Sequence, residues 1–558
     1  MSKLSDDELK RMVDAYEAHG GNRTAAARSL KMPRMTFNDR LREAEKRLGI
    51  KLGRVADGRI ESVEHITMPL PPSGMVRRYI FTSVQNNTFL HPGWVNLKAY
   101  ADWLDALDNS AGCQFVVGTF SYALDAYGAK AVKRNAWKAS NKDDPWYAPE
   151  IHDYIVDERM ELAPGLVWCG EMNILPTVRH PLSGLETYNG RKSNIVPHAK
   201  YAMDSIPSMP DEGTKFNWTT GTITQRNYIQ KNAGIKAEQW HGYGGLLVEV
   251  DSEGNWWVRQ LHIDGNGAVY DVGPEGFEGV IVRGGEVLPK GRIVDSITWG
   301  DIHTAEMEPW VRDLGWGRST DGHESMLDTL RPKRQIMHDI FSMRSRSHHE
   351  MKDFHAMYQK HVDGIDSVEA EVEGCAEFLR YSNRRWCETV VVPSNHDRHL
   401  TRWLKEEDPR KDPKNARYHL QLQSAVLAAM ENGERDFNVL EYALRRKGVP
   451  ESVRFLAEDE SFVICHDVDG GIECGLHGDL GPGGSRGSTR GLTRLGRAVN
   501  KGHDHTAAIR DNVYSVGACS LDFAYMKGPS AHSVSHIVTF ENGRRQIITM
   551  WQNQWRAA

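Results

Sequence analysis

The chain has 558 residues, 40% of them hydrophobic and 26% charged, with a net charge of −6. That length predicts three or four domains and leaves ample apolar content for a buried core. No apolar run approaches the ~18 residues that span a bilayer, and the polar start Ser2-Lys3-Leu4-Ser5-Asp6-Asp7 lacks a signal peptide's apolar stretch, so the sequence predicts a cytosolic protein with no membrane partner.

Residues 1–53 read as a small all-helical domain. Ser5-Asp6-Asp7-Glu8 has the spacing of a capping box, and Leu9, Met12, Val13 and Tyr16 fall on one face of the helix that follows. Gly20-Gly21 ends it. Asn22 can cap a second helix over 24–30, in which Ala25, Ala26 and Ala27 allow close packing. Lys31-Met32-Pro33 then turns the chain into a third helix marked by Phe37, Leu41, Ala44 and Leu48. The segment resembles the Fis-type DNA-binding helix-turn-helix of bacterial transcription regulators. The resemblance implies that Arg34, Thr36, Asn38 and Arg40 face the major groove, with Arg23, Arg42, Lys46 and Arg47 on phosphates. Three amphipathic helices would also serve as a cap or an oligomerisation unit, and a homo-oligomer is left open. Charge favours DNA, because residues 31–54 hold eight Lys or Arg against three Asp or Glu in a chain that is acidic overall.

Residues 54–76, with Pro69, Pro71, Pro72, Ser73 and Gly74, read as a linker. Residues 77–290 read as an accessory α/β region whose sheet either stands alone or joins the catalytic one. Segments 78–83, 94–107 and 114–122 predict strand, helix, strand, and 246–250 with 256–262 predict a hairpin across 251–255. Arg179-His180, Arg191-Lys192-Ser193-Asn194 and residues 219–222 are candidate phosphate contacts, with solvated loops as the plainer reading.

In residues 291–558, apolar and β-branched runs over 293–299, 335–337 and 388–392 predict strands. They lead directly into Gly300-Asp301-Ile302-His303, His338-Asp339 and Ser394-Asn395-His396-Asp397. A hairpin over 462–465 and 472–476 delivers His477-Gly478, with Asp467 and Asp469 read as its turn, and Gly502-His503-Asp504-His505 follows. Strands over 513–516, 534–540 and 545–550, the last two joined by Glu541-Asn542-Gly543, close the domain. Side chains at the carboxyl ends of strands sit where open α/β sheets bind ligands. A dinuclear metal site needs one bridging carboxylate with imidazoles and oxygens to complete each shell, and these five motifs offer that set.

The order Asp-x-His, Asp, Asn-His-Asp, His, Gly-His-x-His over roughly 295–550 resembles the calcineurin-like metallophosphoesterase superfamily. The resemblance implies an α/β (α+β) fold, with a β-sandwich flanked by helices. It also implies two divalent ions, Mn2+ foremost, with Mg2+, Fe2+ and Zn2+ as alternatives. One ion would be held by Asp301, His303 and His505, the other by Asn395, His477 and His503, with Asp339 bridging. His396 would face the scissile phosphate, and Asp397 would accept a hydrogen bond from its other ring nitrogen.

The chain departs from the superfamily pattern in having His338 and Ser394 where Gly is usual. It also has Ser342 where double-strand-break repair nucleases of this superfamily carry a His, with His348 or His349 as the available substitutes. The Gly-rich segment between His477 and His503 carries Arg486, Arg490, Arg494 and Arg497, which suits a polyanionic substrate. Seven cysteines with no Cys-x-x-Cys pair are read as reduced.

The expectation is therefore a DNA-hydrolysing phosphodiesterase. It is similar to phage proteins that degrade host DNA early in infection, and such a protein would act in the host cytoplasm. A phosphomonoesterase or protein phosphatase on the same site, and a DNA-binding regulator with a vestigial site, are the alternatives.

Overall fold

The computed structural model describes residues 4–19, 23–48, 65–122, 146–210, 212–321, 324–468, 470–523 and 526–558. The chain divides into two compact units, Met1–His65 and Ile66–Ala558. It is a mixed α/β protein with an N-terminal helical region.

In the first unit, helices α1 (Asp6–Ala18), α2 (Arg23–Ser29) and α3 (Arg34–Leu48) bury the expected face: Leu9, Met12, Val13 and Tyr16 pack with Ala26, Ala27, Phe37, Leu41 and Ala44. The capping box forms, with Glu8 N donating to Ser5 Oγ (3.3 Å) and Ser5 N to Glu8 Oε2 (2.9 Å). α2 ends on Lys31 in the left-handed region (φ 52°), and Met32 N then donates to Ala27 O (3.0 Å). Gly20, Gly21 and Asn22, and the side chains of Ala25, Arg23, Arg34, Asn38 and Arg42, lie outside the described residues.

In the second unit, a six-stranded sheet runs Val453–Phe455, Glu388–Val391, Arg334–Met337, Val294–Thr298, Ser535–Phe540, Arg545–Thr549. The first four strands are parallel neighbours and the last two return antiparallel as the expected hairpin. Alternation along each strand sends side chains to opposite faces. Ile297, Met337, Val391, Val538 and Phe540 therefore pack on one face against helices Pro309–Trp316, Val368–Ser382 and Val439–Arg446. Ile336, Val390 and Val392 face the other way, onto Ile464, Ile472 and Cys474 of the facing sheet.

That facing sheet has eleven strands and draws on both halves of the unit. Beyond its first edge strand it passes from Arg159–Ala163 through Leu166–Cys169, Ser193–Val196, Lys215–Thr219 and Met203–Ile206. It then continues into Ala508–Arg510, Val513–Ser515, Ala498–Lys501, Ile472–Glu473 and Val463–Ile464. Residues 77–290 are thus continuous with the region read as catalytic. The stretch read as a linker over 54–76 is in part body structure, since Met68 N donates to Glu161 O (2.9 Å).

The predicted strand, helix, strand is Val76–Gln85, Trp94–Asp105 and Ser110–Phe120, the two strands pairing in parallel. Together with the hairpin Gly244–Val250 and Trp256–His262 they make a separate four-stranded sheet. Its edge meets the six-stranded sheet through side-chain amides: Gln546 Nε2 donates to Gln260 O (2.7 Å) and Ile547 N to Gln260 Oε1 (2.8 Å). The candidate phosphate contacts at 179–194 are engaged in the fold, with Arg191 paired to Glu212 (2.6 Å), Lys192 to Glu161 (2.7 Å), and Ser193 and Asn194 buried. All seven cysteines are free, and among the described residues no helix is long and apolar enough to cross a membrane.

A fully buried charge network braces the smaller sheet. Arg78 Nε donates to Glu249 Oε1 (2.9 Å), Arg259 Nη1 to Glu249 Oε2 (2.5 Å), and Arg259 Nε to Asp271 Oδ1 (2.7 Å). Burial opposes charge on Glu249, but the Arg259 and Arg78 guanidinia hold its carboxyl below the usual range. Removing one partner strands the others. Glu249→Ala should therefore cost about 3–5 kcal/mol, read as a fall in thermal denaturation midpoint; an unchanged midpoint would show that the network contributes nothing.

Candidate metal centre

Three parallel strands deliver three of the motifs at their carboxyl ends: Asp301 follows Val294–Thr298, Asp339 follows Arg334–Met337, and Asn395 follows Glu388–Val391. Backbone bonds tie these loops together, from Ile302 N to His338 O (3.0 Å), His303 N to Asp339 O (2.7 Å) and Gly502 N to His477 O (2.8 Å). His477 follows Ile472–Glu473 and His503 follows Ala498–Lys501, two parallel neighbours of the facing sheet. Buried Lys501 holds the last loop by donating to Asp504 Oδ2 (2.7 Å) and Gly502 O (2.7 Å).

The seven expected ligands converge. Asp339 Oδ2 lies 3.4 Å from His303 Nε2 and 3.3 Å from His477 Nε2. Asp301 Oδ2 lies 3.3 Å from His505 Nε2, which is 3.1 Å from His303 Nε2. Asn395 Oδ1 lies 3.0 Å from His477 Nε2 and 3.1 Å from His503 Nδ1. Two sets of three side chains have ligand atoms within 4.8 Å of one another, His303–Asp339–His396 and Asp301–Asp339–His477, and Asp339 belongs to both.

Whether cations fit is tested by what lacks a partner. Asp301 Oδ1, both Asp339 oxygens and His477 Nδ1 are buried without a well-formed hydrogen bond, an arrangement that is costly for anions unless positive charge is supplied. Burial, then the Asp339 charge, raises Asp301 to about 7. Burial also opposes charge on Asp339, yet the imidazoles of His477, His396 and His303 hold it well below the usual carboxylate range. His477 is likewise buried, but Asp339 and Asp301 raise it to about 9.

The backbone is strained at the same place. His303 (φ 46°), Asp339 (φ 47°), His503 (φ 78°) and His505 (φ 54°) all lie in the left-handed region, which side chains with a Cβ seldom adopt and which concentrates at functional sites. Gly502 is required by space, because a Cβ there would stand 2.1 Å from Asp301 Oδ1 and 3.1 Å from His477 Nδ1.

His396 lies beside the cluster, its ring 4.7 Å from that of His303, and it is half-buried where Asp301, His303, Asp339, His477 and His505 are buried. Its expected partner is different. His396 Nδ1 faces Ser342 O (3.5 Å), whereas Asp397 Oδ1 accepts from Phe341 N (3.2 Å) and Asp397 N donates to Ser394 Oγ (3.1 Å), so Asp397 braces the two loops instead of fixing the imidazole. Ser342 fills the place of the absent His, with its Oγ 3.3 Å from His303 Nδ1 and donating to Glu306 Oε2 (2.6 Å). His348 and His349 reach the site only through a row of rings, His348 on His399 (4.6 Å) and His399 on His396 (5.0 Å). Burial, then the His396 charge, pushes His399 down to about 3.

Sequence reasoning missed His399, as well as Phe523 and His532, whose rings lie 4.8 and 5.0 Å from His505. His399 follows His396 by one turn, whereas packing far along the chain brings in Phe523 and His532.

Arg486, Arg490 and Arg494 are exposed and make no ion pair among the described residues, while Arg497 reaches Glu473 (3.4 Å). In the first unit, Thr36 and Arg40 are half-buried on α3, and the Arg40 charge helps lower the Glu8 carboxyl, after the Ser5 hydrogen bonds. Arg47, expected on phosphate, is instead tied to Asp6 and Leu4 O.

Residues 9–60 match the PucR C-terminal helix-turn-helix domain, which supports DNA binding by the first unit under a different family description from the Fis type expected. Over 483 residues the chain is 33% identical to Protein A1 of Escherichia phage T5, an alignment covering 85% of this chain and 81% of that one. No solved structure matches.

Gly502→Ala should leave the folded far-ultraviolet circular dichroism spectrum intact while lowering bound divalent metal by more than half in elemental analysis, because the added Cβ displaces Asp301 and His477. Undiminished metal content would show that the close approach at Gly502 is dispensable.

Proposed function

The chain belongs to the family of phage T5 Protein A1, and on that premise we propose that it is a dinuclear-metal-dependent phosphodiesterase of the calcineurin-like metallophosphoesterase superfamily, hydrolysing DNA in the host cytoplasm. The observation that carries the reading is that Asp339 shares one cluster of ligand atoms with His303 and His396 and another with Asp301 and His477. One ion would be held by Asp301, His303 and His505, and the other by Asn395, His477 and His503, with Asp339 between them.

When bound, such a pair, with Mn2+ foremost, lowers the pKa of a coordinated water and neutralises charge on phosphoryl oxygens. The protein's own groups do the rest. Asn395, His396 and His503 are the half-buried members of the set, so they mark the open side from which a phosphate enters. The Ser342 carbonyl beside His396 Nδ1 favours a proton on that nitrogen and leaves Nε2 to face the substrate. Burial, chiefly, lowers the pKa of His396. Exposed Arg486, Arg490 and Arg494, on the segment joining His477 to His503, supply charge for a polyanion. The helix-turn-helix raises the local concentration of duplex.

The test is turnover of duplex DNA, single strands and 4-nitrophenyl phosphate by the purified protein in Mn2+. DNA should be hydrolysed in preference to the monoester, and Asp339→Ala should lose at least about a thousandfold in rate, together with bound metal. Hydrolysis of the monoester alone would replace the nuclease reading with a phosphatase, and an active Asp339→Ala protein would sink both.

A further inference from the structure

Beside the metal centre lies a cavity of about 380 Å³ walled by Phe216, Trp218, Trp256, Trp257, Trp551 and His532. Small-ligand pockets run from roughly 300 to 1,000 Å³, so it is large enough for a nucleoside. Its walls are aromatic: Phe216 stacks on Trp218 (5.3 Å), Trp256 meets Trp218 edge-on (5.9 Å), and Trp551 is 37% exposed. Two polar atoms among these residues are buried and unpartnered, the indole Nε1 of Trp218, itself 2% exposed, and Nδ1 of His532. The His532 ring is also 5.0 Å from that of His505, so one wall of the cavity stands a single ring away from the candidate ligands.

Flat aromatic walls suit a planar heterocycle. Indole faces stack on any base. Enzymes that act on nucleic acids commonly hold an unstacked base in such a pocket. We propose that this cavity is a nucleobase subsite, which takes one base of the substrate strand against Trp551 and Trp256 while the adjoining phosphate lies at the metal centre. It rests on the reading of that centre as a DNA phosphodiesterase, but its binding step requires no turnover.

The test uses the full chain and single-stranded hexanucleotides, which are too short to offer the helix-turn-helix a duplex. Without added metal, wild-type protein should bind a hexanucleotide about tenfold more tightly than the same backbone carrying abasic residues, the scale of one stacked base. Trp551→Ala should erase that preference and Trp551→Phe should restore most of it, while hydrolysis of bis(4-nitrophenyl) phosphate in Mn2+ stays unchanged in both variants. Equal affinity of wild-type protein for the two strands, or a preference that survives in Trp551→Ala, would overturn the subsite. Intact preference in a protein that hydrolyses no diester would keep the subsite and remove the catalytic reading.

Discussion

The carboxylate of Asp339 is buried in the largest unit of the protein with neither oxygen well hydrogen-bonded, and imidazoles surround it. An anion so placed is stable only where positive charge meets it. Much of the surrounding architecture supplies that condition. The left-handed turns at His303, Asp339, His503 and His505 aim side chains inward, Gly502 makes room for two of them, and Lys501 with Asp504 pins the loop that carries the last pair.

The two facing sheets make this convergence possible. One brings Asp301, Asp339 and Asn395 to the ends of three parallel strands, and the other brings His477 and the His503–His505 loop to the ends of two more. The accessory half is part of the same construction. Its strands continue the eleven-stranded sheet through Met203 and Ile509, and its own sheet is tied on by Gln260 and Gln546. Residues 66–558 accordingly form one compact unit.

The strand ends that carry the candidate ligands were legible in the sequence because each follows a short β-branched run or sits in a Gly-flanked turn, while the ligand roles themselves came from the order of the motifs. The helical core of the first unit was legible for the same reason: its 3.6-residue periodicity is carried by Leu9, Met12, Val13 and Tyr16. What escaped depends on contacts far apart in the chain. The orientation of His396 by Ser342 instead of Asp397, the tie of Arg47 to Asp6, and the rings of His532 and Phe523 around the site are set by loop geometry that no local pattern encodes. The strand of residues near 66 was hidden by prolines that otherwise signal a linker. The left-handed residues were hidden as well, since His and Asp carry no mark of φ as Gly does.

A carboxylate that bridges two ions couples them magnetically, and that coupling is the most direct sign of the arrangement inferred for Asp339. Electron paramagnetic resonance of the Mn2+-loaded protein should show the broad, multiline spectrum of an exchange-coupled pair at two ions per chain. A simple six-line spectrum from one isolated ion per chain would contradict the dinuclear centre.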